Sequence, residues 1–159
     1  MKEKLFTTLK AWPIITIVTI AICLLTTEIS KAAGFSLHEQ ALLETVRQHI
    51  GWNSTFLTIL LEVVILAPLW EEAFFRGLLF KLPGPSNAIA AALGSSVCFA
   101  AAHYLAMPWP DNAFAALFFF GMAQCWLYRQ TDSLFCVILN HALFNATNLV
   151  LLFTLPDFG

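Results

Sequence analysis

The chain has 159 residues, 59% of them hydrophobic and 11% charged, with a formal net charge of -2. Soluble domains carry roughly 25% charged residues, so the composition excludes an ordinary water-soluble fold, and it indicates no nucleic-acid-binding surface. What remains is an all-α fold, a polytopic transmembrane helix bundle, with 15 Phe and 5 Trp suited to lipid contact and interfacial anchoring.

A hydrocarbon core of ~30 Å needs about 20 apolar helical residues. Five such runs are expected: Trp12 to Ile29, Asn53 to Leu82, Asn87 to Leu105, Asn112 to Tyr128 and Ser133 to Leu155. The first follows Lys2, Lys4 and Lys10, as a signal peptide would. It is too long for a signal core and further spans follow, so it reads as an uncleaved helix. Between the first two spans, "SLHEQALLETVRQHI" (Ser36 to Ile50) sets Leu37, Ala41, Leu42 and Val46 at helical spacing. This predicts an interfacial amphipathic helix, or a solvated one packed on the bundle. The second span contains Pro68, which removes a backbone donor and predicts a kink. "LPGPSN", "MPWPDN" and "RQTDS" mark the remaining connections. Cys23, Cys98, Cys125 and Cys136 lie in apolar runs without metal-type spacing and are expected to be small buried residues.

No second domain or internal repeat is visible, so residues 1–159 are expected to form one domain. With the N-terminus in the cytoplasm, the inner segments hold Lys2, Lys4, Lys10, Lys81 and Arg129 and the outer ones Lys31 and Arg47, which predicts an N-in, C-out protein.

Charges inside the spans require a reason, because each costs at least ~2.5–3.5 kcal/mol at the bilayer centre. In "LWEEAFFRG" (Leu69 to Gly77), Glu72 and Arg76 are four residues apart on one helical face and can pair. Glu71 points about 100° away, which leaves its carboxylate available as a general base. His103 ends another span. His141, Asn145 and Asn148 form a column on the last one, where His141 and Asn145 can both serve a single site as hydrogen-bond donors. Counting the helical rise puts Glu71 and His141 at similar depths and His103 deeper. A carboxylate and a histidine that deprotonate water, facing donors for a tetrahedral oxyanion, suit peptide-bond hydrolysis. The competing readings are a purely structural polar network in a membrane binding or immunity protein, and a small proton-coupled transporter. Glu28, near the outer end of the first span, and Glu62, deep in the second, have no assigned partner.

"EEAFFRG", "FAAAH" (Phe99 to His103) and "HALFN" (His141 to Asn145), in this order and in separate spans, resemble the EExxxR, FxxxH and HxxxN motifs of the CAAX protease and bacteriocin-processing family. These are membrane-embedded proteases that include the type II CAAX prenyl endopeptidases, and the resemblance covers residues 57–152. It implies that Glu71 activates the hydrolytic water with His103, that His141 and Asn145 form the oxyanion site, and that Glu72, Arg76, Phe99 and Asn148 support them. It implies no catalytic metal, although two histidines and a glutamate are also a zinc-type ligand set. The implied partners are the lipid bilayer and a membrane-anchored protein or peptide substrate. The chain is shorter than the prenyl endopeptidases. It is closer in size to bacterial members that act on C-terminal sorting signals, such as the JDVT-CTERM type, or that mature bacteriocins or confer immunity. The implied location is the bacterial inner membrane.

Overall fold

The computed structural model describes residues 1–35, 54–82, 87–106 and 113–154. Five helices lie among them: α1 (Lys2–Ala32), α2 (Ser54–Lys81), α3 (Ala88–Ala106), α4 (Ala113–Thr131) and α5 (Leu134–Thr154). The all-α expectation holds. The expected amphipathic helix over residues 36–50 lies outside the described residues.

Four of the five helices are long and apolar enough to cross a membrane, namely α1, α2, α3 and α5. The remaining expected span, α4, has sufficient length, since its 19 residues rise about 28 Å. It carries Gln124, Tyr128 and Arg129 and is less apolar than its neighbours because it packs against α1, α3 and α5. Phe120, Gly121, Gln124, Cys125 and Leu127 are all buried. Gln124 and Tyr128 are buried against protein while Phe114 and Trp126 stay exposed on the outer side, so hydropathy understates this helix.

Lipid tails are as apolar as leucine, so helix association depends on close packing and polar contacts. Gly121 supplies the first of these. A Cβ there would lie 2.9 Å from Ser96 Cβ and 3.0 Å from Ser96 Cα, so the missing side chain is what lets α3 reach α4. The main core runs through Ile15 of α1, Phe75 and Phe80 of α2, Phe99 of α3, Leu127 of α4 and Val137 of α5. A smaller cluster, Ile59, Leu149 and Leu152, joins the far ends of α2 and α5.

The helices alternate in direction, and basic residues gather at one end. Lys4 Nζ donates to Asp132 O at 3.3 Å, and Lys81 Nζ lies 5.3 Å from the Tyr128 ring centre. The start of α1, the end of α2 and the α4–α5 connection therefore share one face of the bundle. That connection is two residues long. Asp132 takes a left-handed φ of 43°, which Asp tolerates better than most residues, and Ser133 Oγ accepts the Cys136 N–H at 3.4 Å to start α5. Cys125 and Cys136 are buried as expected, whereas Cys98 is exposed on the outer face of α3. Glu28 pairs with Lys31 at 2.9 Å at the exposed end of α1, and the Glu62 side chain is exposed.

Candidate active site

Around Pro68, where the sequence predicts a kink, α2 changes its winding. π-Helical turns at Glu62–Leu66 and Ala73–Leu78 flank a single α-helical stretch, Ala67–Glu72, which carries both glutamates at its end. Such wide turns free or misalign backbone groups and are common at functional sites. Each is fastened to a different neighbour. Ser95 Oγ of α3 donates to Phe75 O at 2.8 Å, and Asn145 Nδ2 of α5 donates to Val63 O at 2.8 Å.

Glu72 and Arg76 form the expected pair, with Nη1 to Oε1 at 3.1 Å and both side chains fully buried. The pairing is richer than their spacing implies. Glu72 Oε1 also accepts from Gln124 Nε2 at 3.2 Å and from His141 Nδ1 at 2.8 Å. Arg76 Nη2 donates to Gly121 O at 3.1 Å, and its guanidinium carbon lies 4.7 Å from the Phe99 ring centre. The charge is thus compensated by an anion, a carbonyl and an aromatic face, as a buried cation requires.

Glu71 turns the other way, toward the histidines. Its Oε2 lies 3.5 Å from His103 Nε2 and 3.9 Å from His141 Nε2, and it makes no hydrogen bond among the described residues. The side chains of Glu71, His103 and His141 are 24%, 21% and 5% exposed, so the group runs from the bundle surface into its interior. The depth mismatch expected for His103 is absent, because rise counting compares Cα heights and ignores how far two long side chains reach toward each other.

The other ring nitrogens fix the tautomers. His103 Nδ1 lies 2.9 Å from Phe99 O, a carbonyl that only accepts, so Nδ1 carries the hydrogen. His141 Nδ1 likewise donates to the Glu72 carboxylate. In their neutral forms both rings therefore present an Nε2 lone pair to Glu71 Oε2. Phe99 lies against both imidazoles, at 4.5 Å from His103 and 6.0 Å from His141 between ring centres, and Phe120 lies 4.8 Å from His141. Asn148 is turned away from this group, donating to Phe144 O of its own helix at 2.9 Å. Among the described residues, no set of three or more His, Cys, Asp or Glu is arranged to hold a metal ion.

Sequence spacing does not reveal Gln124, whose Nε2 also donates to Val137 O at 3.0 Å and so ties α4 to α2 and α5. The signal in the sequence is an amide in an apolar run, which marks Gln124 as a residue that could complete a polar network with Glu71; its partner in the structure is Glu72 instead.

These helices and this enclosed carboxylate–histidine group define an integral membrane protein with a polar site inside its bundle. A family model described as type II CAAX prenyl endopeptidase Rce1-like matches residues 51–147, and the chain belongs to that family. Membership places it in a membrane protease family, with a peptide or protein as substrate. No curated protein and no solved structure matches the chain.

Proposed function

We propose that the protein is a glutamate-type intramembrane endopeptidase that hydrolyses a peptide bond of a membrane-associated protein, near a C-terminal sorting or processing signal. The observation that supports this is one carboxylate oxygen opposite two histidine Nε2 atoms at 3.5 and 3.9 Å. Both separations exceed a direct hydrogen bond of about 2.7–3.2 Å, and a side-chain shift of about 1 Å by the partly exposed Glu71 or His103 opens the gap that a bridging water needs. In this reading water donates one hydrogen to Glu71 Oε2 and the other to His103 Nε2. As its oxygen bonds to the scissile carbonyl carbon, Glu71 takes a proton, which it then passes to the amine as the C–N bond breaks.

His141 serves the oxyanion. In this reading His141 acts in its protonated form: its Nδ1–H bond to Glu72 Oε1 fixes the ring, and its Nε2–H donates to the developing negative oxygen, whose charge it offsets. The partly exposed Glu71 and His103 form the side from which substrate reaches the site. The substrate class rests on the apolar helices that enclose the site, and the location proposed is the bacterial inner membrane with the N-terminus cytoplasmic.

The test is co-expression of wild type and Glu71→Gln with membrane-tailed candidate substrates, reading the C-terminal mass of each product with and without a chelator. Cleavage by wild type alone, unaffected by chelator, is the expected result. Equal cleavage by Glu71→Gln would overturn the mechanism, and loss with chelator would favour a zinc enzyme. A protective or binding phenotype that survives Glu71→Gln would favour a non-catalytic immunity protein.

A further inference from the structure

The π-helical turn Glu62–Leu66 leaves the carbonyl of Val63 without a backbone donor. In α-helical register Val63 O would accept from Ala67, but the Ala67 N–H is bonded to Glu62 O. In π register it would accept from residue 68, which is Pro68 and has no N–H. Val63 is half-buried on an apolar, membrane-spanning helix beside the fully buried Pro68, and a backbone carbonyl left without a donor in such surroundings is disfavoured. Asn145 Nδ2 supplies the donor, 2.8 Å from Val63 O.

We propose that Asn145 is a positioning residue that stands in for the missing N–H of Pro68 and thereby holds the Ala67–Glu72 stretch so that Glu71 faces the histidines. The proposal rests on the protease reading and gives Asn145 a different role from the oxyanion donor implied by the family resemblance. A proline next to a wide turn is a natural hinge in a long helix. Glu71 lies just beyond this one, on the stretch that begins at Ala67. Asn145 closes the hinge from α5, one turn beyond His141 on the same face, so Glu71 and His141 are held in one frame.

The two roles separate in a double-mutant experiment. An oxyanion donor is not replaced by a backbone N–H on another helix, whereas Pro68→Ala restores the very donor for which Asn145 substitutes. In the full-length protein, Asn145→Leu is expected to lower kcat by on the order of 100-fold with KM within about twofold, as for a catalytic group displaced by about 1 Å. Pro68→Ala/Asn145→Leu is expected to return to within a few-fold of Pro68→Ala. A double variant as impaired as Asn145→Leu overturns the proposal.

The infrared band of the Val63 carbonyl gives a second readout that needs no substrate. It is isolated by 13C-valine labelling with Val63→Ile as the subtraction control. The band is expected to move to higher frequency in Asn145→Leu and to return in the double variant, and a band unmoved in Asn145→Leu overturns the proposal. If Asn145→Leu aggregates, folding of the double variant supports it, and aggregation of both while Pro68→Ala folds overturns it. A wild type that cleaves nothing counts against the protease reading, and the Val63 band still decides this one.

Discussion

Glu72 Oε1 collects three donors, from Arg76, Gln124 and His141, at a point no solvent reaches. Removing one partner of a buried ion pair leaves the other charge uncompensated, at a cost of about 3–5 kcal/mol. Arg76→Met and Glu72→Leu are each expected to destabilise the folded bundle by about that amount, and the double variant by clearly less than the sum. Unfolding in detergent across the double-mutant cycle measures it, and strict additivity would show that the pair does not act as a unit. At this scale the sequence was informative only within a helix. The Glu72–Arg76 pair and the separate direction of Glu71 follow from a period of 3.6 residues, on one helix. The bonds from His141 and Gln124 to Glu72 depend on how α5 and α4 are rotated against α2, and spacing along one helix carries no such information. Asn145 illustrates the limit. It shares a face with His141 as read from the sequence, yet its amide is used on a carbonyl of another helix.

At the level of elements, the approach of α3 to α4 hinges on Gly121. Its carbonyl receives Arg76, and an added Cβ would meet the Ser96 backbone at 3.0 Å. Backbone cannot swing aside as a side-chain tip can. Gly121→Ala is therefore expected to push α3 and α4 apart and to cost about 1–3 kcal/mol, the range for overpacking a close-packed interior. Thermal unfolding of the purified protein checks this, and unchanged stability would mean that the contact is slack. Ser96→Gly in the same background removes the Cβ and Oγ contacts and should recover part of the loss. Pro68 in the sequence was enough to place a break in α2. It was not enough to show that the break is two π-helical turns, since these arise from what neighbours offer to the freed carbonyls: Ser95 at one turn and Asn145 at the other.

For the whole molecule, the open question is how many times the chain crosses the membrane. α4 alone falls short of the other helices in hydropathy, yet it is long enough and it sits against three of them. Alternation of direction in the bundle requires it to cross, because Tyr128, near its end, lies beside Lys81 at the end of α2. Five crossings put Thr154 on the opposite side from Lys4. With the basic end cytoplasmic, alkaline phosphatase fused after Thr154 is expected to be active and green fluorescent protein fused there to be dark, while a fusion after Leu82 gives the reverse. Fluorescence at both positions would mean that α4 does not cross, and a reversed pattern at both would invert the bundle. The expected outcome also fixes the depth of Glu71. Glu71 precedes Lys81 by ten residues, so it lies ~15 Å from the basic end, near the middle of the bilayer and on its cytoplasmic half. A substrate reaching it from the lipid would have to bring its scissile bond to that depth.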